Sequence, residues 1–404
     1  MKNDGHWLTA QRMRIYPAIL LCLQFIVRPA GMRKYAESAS ARFGSPWPDD
    51  FRVFWGAARL ALEGRFTAPY DMAQLFPVMQ LADSSLRAPA PWASWFYPPT
   101  FLLLVAPLGL LDFWLAYPLF VALTLAPFIV LLFRICAPYR PWLLIIAFPA
   151  TVSTAFHGQN AFLTSSLAAA ALVLLPARPV LAGVFLGCLA IKPHLAVLFP
   201  FALIAIGAWR TIASAAVTAL ALVLSSYGLM GGETFHAFRD NVAYAQQLVS
   251  TGMLPAFKMP TAFVGLRMHA VDLTLAYAAQ LLVATMAAAM VVLVWRNSRH
   301  HAVRCATLMT ASMLVSPYVY AYDMTWLAFP IAWMGVHGMR HGWRPGERFW
   351  LVVAWTLPAS SQIFARFANV QLAPFALLAL LGLMVRRSLS PDEETVCSPA
   401  SRIG

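Results

Sequence analysis

Long apolar runs follow one another along almost the whole chain. They fall near residues 15–28, 97–111, 113–133, 141–156, 160–176, 179–191, 194–209, 211–230, 270–295, 303–318, 323–339, 349–365 and 370–385. Crossing a bilayer takes roughly 20 mostly apolar residues per helix. Backbone polar groups in hydrocarbon must be satisfied internally, so only helices or closed barrels can span it. Runs such as LLVATMAAAMVVLVW (281–295) lack the polar–apolar alternation of barrel strands. The pattern predicts an all-α, polytopic transmembrane helical bundle in a single membrane domain, residues 1–387. Two longer hydrophilic stretches interrupt it, at about 29–95 and 231–269, and a polar tail from 388 to 404 reads as disordered.

The basic residues orient these segments. Arg296–Arg304, Arg340–Arg348 and Arg386–Arg387 form the densest clusters, and all can be cytoplasmic if the intervening segments are hairpins. Arg210, Arg178 and Arg134–Arg140 then also fall inside. His157–Asn160, Lys192–His194, the 231–269 loop and Ser316–Asp323 fall outside. An N-terminus inside places 29–95 outside, and 97–133 is then too long for one helix at about 1.5 Å per residue. Either 97–111 is a half-helix or interfacial segment, or one assignment is wrong. The expected count is about 12 crossings with the C-terminus inside. Arg28, Arg33, Lys34 and Arg42 put positive charge outside, against the rule.

Composition agrees with a membrane protein. Of 404 residues, 60% are hydrophobic and 11% charged, against about 25% charged in soluble domains. The net charge of +13 would suggest nucleic acid in a soluble chain. Here the basic residues sit between apolar runs, as topology signals and headgroup contacts with membrane lipids, and no nucleic-acid partner is expected. Cys22, Cys136, Cys188, Cys305 and Cys397 show no metal or redox spacing. Arg12 and Arg14 precede an apolar stretch without a clear cleavage site, which predicts a retained first helix.

Several polar residues can carry chemistry. In the first hydrophilic stretch, Phe51, Phe54, Trp55, Ala58 and Leu62 share one face at helical spacing, and Gly64 can stop the helix. This predicts an amphipathic helix along the membrane surface. Asp49 and Asp50 at its start can be N-caps, a reading compatible with catalysis. Tyr97 before Pro98-Pro99 reads as an interface anchor. His157-Gly158-Gln159-Asn160 can form a tight turn or hold sugar hydroxyls. Lys192-Pro193-His194 lies between two apolar runs. A charge at that depth either snorkels or binds a phosphate. Asp323 ends SPYVYAYD (316–323), where Tyr322 and its neighbours can form an aromatic belt. The second loop carries Glu233, His236, Arg239, Asp240, Lys258, Arg267 and His269, which can cover a site. No Walker loop, GxSxG, HExxH or GxGxxG occurs, and neither a cofactor nor a metal is expected.

Taken in order, DFRVFWGAARLALEG…PYD (50–71), YPPTFLLLVAPLGLL (97–111), HGQNAFL (157–163), AGVFLGCLAIKPHLAVL (182–198) and SPYVYAYD (316–323) resemble glycosyltransferase family 87. These are polyprenyl-phosphate-sugar-dependent transferases of the GT-C class, similar to the mannosyltransferases. The resemblance implies a hexose, often mannose, moved with inversion from a polyprenyl-phosphate donor to a lipid or glycan acceptor. It implies a multi-pass protein of a bacterial inner membrane with its site on the periplasmic face. It implies a catalytic base in the first outer loop, Asp50, with Asp49 as the alternative. Tyr97, His157, Gln159, Asn160, Lys192, His194, Tyr322 and Asp323 are the candidate substrate-binding residues. Mannosyl-transferring relatives tend to carry histidines where this chain reads YVYAYD. A flippase or transporter of lipid-linked sugars, or a surface-polysaccharide polymerase or ligase, is the competing reading.

Overall fold

The computed structural model describes residues 7–36, 47–89 and 93–389. These residues form 18 α-helices joined by short 3-10 turns, with no strand among them. The first hydrophilic stretch contains α2 (Asp49–Leu62) and α3 (Met72–Ala82), after α1 (Arg12–Ala36). The apolar chain then forms α4 (Pro99–Val105), α5 (Phe113–Ile135), α6 (Trp142–Ile146), α7 (Pro149–His157), α8 (Ala161–Leu174), α9 (Pro179–Gly187), α10 (Phe199–Ala205) and α11 (Trp209–Met230). The second hydrophilic stretch carries α12 (Gly232–Ser250) and α13 (Ala262–Arg267). The rest is α14 (Leu273–Asn297), α15 (His301–Val315), α16 (Ala328–His341), α17 (Glu347–Phe367) and α18 (Ala373–Leu389). The polar tail from residue 390 lies outside the described residues, as does Arg42.

Among the described residues, three helices are long and apolar enough to cross a bilayer: α5, α11 and α14. Their uncovered faces are apolar, with Leu115, Leu123, Val130, Val217, Leu220, Leu224, Leu281 and Leu282 exposed. That surface suits lipid, where an apolar side chain needs no burial. The segment at 97–111 is indeed short. Pro98 and Pro99 fix its start, and after Val105 the chain tightens into a 3-10 turn, Ala106–Leu110. Twelve residues at about 1.5 Å each make about 18 Å, well short of the hydrocarbon core.

The chain breaks other apolar runs as well. Phe148-Pro149 separates α6 from α7. Between α9 and α10 it passes through two 3-10 turns, Cys188–Ile191 and Pro193–Leu195, with Lys192 between them at φ −150° and ψ 67°. α9 packs closely along α11. A Cβ on Gly183 would lie 2.5 Å from the Thr211 carbonyl oxygen, and one on Gly187 2.5 Å from Thr218 Cβ. Small residues let helix backbones approach where no hydrophobic force pulls them together in lipid.

α2 departs from the amphipathic surface helix that the first stretch suggested. Phe51 through Ala58 are all buried, as are Leu60 and Ala61. Its covering comes from the protein. Phe54 meets Trp95, Tyr97, Phe101 and Phe120 edge-on at 5.1–6.0 Å, and Phe51 lies 5.4 Å from Phe120. Trp55 Nε1 donates to the Leu111 carbonyl, and buried Arg52 pairs with Asp83 at 3.0 Å after α3. Leu62, placed on the apolar face by spacing, is exposed. The helix is thus an internal brace of a hydrophilic-looking layer, with Gly64 in positive φ after its end.

The basic ends are not all headgroup contacts. Arg387 is buried and makes two hydrogen bonds of 2.6 Å to the Glu347 carboxylate, tying α18 to the start of α17. Removing one partner strands a charge without water, at a cost of about 3–5 kcal/mol. Arg387→Met should therefore lower the thermal unfolding midpoint in detergent strongly. Glu347→Leu/Arg387→Met should recover most of the loss, and equal damage in both variants would refute a pair-based account.

Candidate active site

The two aspartates stand in the first turn of α2. Pro48 occupies the N-cap position, so neither carboxylate caps the helix by the expected side-chain bond. Asp49 instead turns outward. Its Oδ1 accepts from the Asp50 amide at 3.0 Å and lies 2.5 Å from His157 Nδ1. His157 ends α7, and Gly158 follows in the left-handed region at φ 67°. A Cβ at Gly158 would sit 2.5 Å from Phe51 Cβ and 3.0 Å from the Tyr117 ring. Glycine is therefore required twice, for its φ and for the close approach. That approach presses the His157–Asn160 turn against the start of α2.

Gln159 completes the contact. Its Oε1 accepts from the Tyr97 hydroxyl at 3.1 Å and from the Asn160 amide at 3.1 Å. Both acceptor sites being used, the amide nitrogen is left to donate, and it helps to hold the Asp50 carboxyl down. Burial pushes the Asp50 carboxyl up, and the neighbouring Asp49 charge pushes it further, against His157, Lys258 and Gln159. The result is about 6. Burial raises Asp49 too, but His157, then Lys258 and Arg52, outweigh it and hold it well below the usual carboxylate range. Adjacent carboxylates thus differ in ionisation: Asp49 is held as an anion, and Asp50 is raised to about 6.

A small cleft opens in front of Asp50, bordered by His157, Lys258, Tyr320, Tyr322 and Gln362. Tyr320 and Tyr322 stack with ring centres 5.3 Å apart. They precede and open a 3-10 turn, Ala321–Leu327, pinned to α7 by a 2.7 Å bond between Thr154 and Thr325 hydroxyls. Behind them lies a closed ion pair. Lys192 Nζ is 2.6 Å from Asp323 Oδ1, and both side chains are buried. Asp323 Oδ2 accepts from the Tyr320 amide at 3.1 Å. The ammonium also lies over the rings of Tyr322, at 5.1 Å, and Tyr97, at 6.0 Å.

Comparison with known proteins decides what this cleft belongs to. Residues 95–317, more than half of the chain, match the model of glycosyltransferase family 87. The chain belongs to glycosyltransferase family 87. No curated protein and no solved structure matches it. The matched stretch of the transferase holds Tyr97, His157, Gln159, Lys192 and Lys258. Asp49 and Asp50 precede it, and Tyr322 and Asp323 follow it.

The fold of the transferase joins Tyr97, His157, Gln159, Lys192, Tyr322 and Asp323 to the aspartate pair in one polar network. Two sequence candidates stay outside it. Asn160 is fully buried, and neither atom of its side-chain amide has a partner among the described residues. His194 likewise has a buried Nε2 without a partner there, and neither residue borders the cleft. Asp49, Asp50 and His157 offer ligand atoms within 4.8 Å of one another, a set that could hold a divalent cation.

Lys258 and Gln362 were not legible as site residues. Lys258 sits on a 3-10 turn, Ala256–Lys258, in a loop with six other ionisable residues named above. What singles it out is distant in sequence. Gln371 Nε2 donates to the Met259 and Ala256 carbonyls, at 2.9 and 3.3 Å, and Arg366 lies over the Phe257 ring at 5.3 Å. The proline-flanked PAFKMP was the only local signal.

Because Lys192 is closed off by Asp323, its loss should be felt in folding before it is felt in binding. Lys192→Met should cost about 3–5 kcal/mol by leaving Asp323 uncompensated. Lys192→Met/Asp323→Leu should unfold nearer the wild-type temperature. A single variant with unchanged thermal stability would show that Lys192 does not depend on this pair.

Proposed function

We propose that this membrane transferase moves a hexose from a polyprenyl-phosphate carrier to a lipid or glycan hydroxyl, with Asp50 as general base. The observation that carries the reading is the split between the two aspartates. A base poised near the working pH combines the right protonation state with proton-transfer driving force. Asp50 borders the cleft, and its carboxyl lies near 6. Asp49, held as an anion by His157, keeps it there.

The reaction balances with these groups alone. Asp50 takes the proton of the acceptor hydroxyl as its oxygen attacks the anomeric carbon. The bond from that carbon to the phosphate oxygen breaks, and the polyprenyl phosphate leaves with the electron pair. Attack opposite the leaving group inverts the centre. Lys258 is the cation that faces the cleft, and it takes over the phosphate-binding role that spacing had suggested for Lys192. A lysine is a common point-charge ligand for phosphate. Lys192 and Asp323 then act as the rigid backing of the Tyr320–Tyr322 stack, against which a sugar ring can lie.

The side of the membrane follows from the basic residues. The cleft joins the end of α7, the 256–258 turn and residues 320–322. Arg296, Arg299, Arg304, Arg340 and Arg344 lie at the opposite ends of α14, α15 and α16. The positive-inside rule supports a cytoplasmic side for those ends and, with it, a non-cytoplasmic face for the cleft, which in a bacterial inner membrane is the periplasmic one. This arrangement agrees with about 12 crossings, α4 being a half-helix. The chain lacks histidines in YVYAYD, which favours a hexose or acceptor other than that of the mannosyl-transferring relatives.

Two measurements on purified protein in liposomes test this reading. With a lipid-phosphate hexose, kcat/KM should rise about tenfold per pH unit up to about pH 6, as Asp50 loses its proton, and then level off. Asp50→Asn should reduce transfer by about 10²–10⁴-fold and remove that limb. The folded-state carboxyl is raised above its unfolded value, so its ionisation opposes folding above about pH 6. Asp50→Asn should therefore unfold at a higher temperature than wild type at neutral pH. Near-normal turnover in this variant would end the general-base assignment. Lys258→Gln should raise the donor KM with the same fold, by about 10- to 100-fold for one charge-assisted contact. An unaltered KM would remove Lys258 from the donor site.

A further inference from the structure

A second cluster of chemically capable side chains lies far from the cleft. His337 and His341 are four residues apart near the end of α16, so they project from the same face. His300, at the N-cap of α15, reaches the same point from the α14–α15 turn. The three rings stand with centres 4.6, 4.6 and 4.8 Å apart, and their nearest nitrogens all lie within 4.8 Å of one another. His337 is buried, His300 half-buried and His341 exposed. The neighbouring His301 points elsewhere, its Nε2 lying 2.8 Å from the Leu172 carbonyl and 3.2 Å from Cys305 Sγ. Three imidazoles from two turns therefore converge where one adjacent imidazole does not.

We propose that His300, His337 and His341 form a zinc site that clamps the start of α15 to the end of α16. Zinc takes imidazole nitrogens at about 2.0–2.1 Å in a tetrahedron. Rings sharing one tetrahedral ion stand with centres roughly 5 Å apart by that geometry. The ring centres need only a few tenths of an ångström of spreading, and the ligand nitrogens, now within 4.8 Å of one another, must turn inward to roughly 3.3 Å. Neutral imidazole suits zinc, copper and nickel rather than magnesium or calcium. Three protein ligands with one exposed edge leave a fourth position for water. Arg299 and Arg340 adjoin the cluster in sequence and weaken a dication's binding, although salt screens exposed charges within about 10 Å.

The consequence is mechanical. α16 starts directly after the 3-10 turn that carries Asp323 and ends at the histidines, about 20 Å away at 14 residues. The ion joins points 41 positions apart in sequence, His300 and His341, and fixes α16 at the end opposite the cleft. It takes no part in sugar transfer, so the inference stands apart from the proposed reaction.

The test uses the full-length transferase, freed of any histidine tag, in detergent. After chelation and desalting, it is titrated with zinc chloride, and bound metal is measured by mass spectrometry. One zinc per chain should be retained, with a rise in unfolding temperature. Cobalt loading should give the visible bands of a four-coordinate site. His341→Ala, an exposed position, and His300→Ala should each lose the metal, the thermal shift and the cobalt bands. Both should keep the metal-free unfolding temperature and the transfer activity of the metal-free wild type. Absence of stoichiometric zinc in wild type overturns the proposal. So does zinc retained by His341→Ala and His300→Ala but lost by His157→Ala, which places the ion at the cleft.

Discussion

Two neighbouring carboxylates in a half-buried turn cannot both be ionised cheaply, and the cleft end of this transferase is arranged around that constraint. Two unit charges 4 Å apart repel by about 4 kcal/mol at an effective dielectric of 20. The chain relieves the conflict asymmetrically. Asp49 receives the His157 ring directly, and Asp50 receives the more distant fields of His157 and Lys258 and the neutral amide of Gln159. The asymmetry requires the His157–Asn160 turn to touch α2. That requires glycine at 158, and it requires α2 to be held by aromatic packing on Phe51 and Phe54. A surface helix free to tilt in headgroups would not keep a carboxylate within hydrogen-bond reach of a turn more than 100 residues away.

This is why the first hydrophilic stretch was misread in part. Helical spacing of Phe51, Phe54, Trp55 and Ala58 gave the right helix and the right apolar face. It did not show that Arg52, on the other face, would be buried too, whereas Arg59 stays exposed. Arg52 is buried through Asp83, and Arg59 donates to the Gly109 carbonyl at 3.3 Å. Pairing partners tens of residues away are not encoded in a local period. The membrane segments were far more legible, since length and apolarity act locally. Even there, the break at Phe148 falls inside a run that reads as continuous, 141–156, whereas the break around Lys192 falls between two runs. Proline marked each break, at Pro149 and Pro193.

Lysines show the same limit in the site. Lys192 stood out because a charge between apolar runs is costly. The structure shows how that cost is met, by Asp323 and two tyrosine rings. A charge so well compensated has little capacity left to attract a ligand. Lys258 stood out less because it lies in a loop full of charges. Yet Arg239 pairs with its neighbour Asp240, and Arg267 donates to the Val271 and Ser250 carbonyls. Lys258 alone among these three borders the cleft. Conspicuousness in sequence tracks desolvation, whereas ligand binding needs a charge left uncompensated beside solvent.

The same reasoning explains how such an enzyme can keep a perturbed carboxylate without losing its fold. The raised Asp50 carboxyl opposes folding at neutral pH, and the opposing stability comes from elements that never meet the substrate. The Lys192–Asp323 pair and the Thr154–Thr325 bond fix the tyrosine platform from behind. Gln371 fixes the Lys258 turn from the start of α18. The Arg387–Glu347 pair fixes α18 itself at its other end. Each support reaches the cleft through a continuous helix or a turn with satisfied hydrogen bonds, so the strain is confined to one residue. Asp50 is the place where local preference and global fold disagree, and a functional residue is where such disagreement is expected to persist.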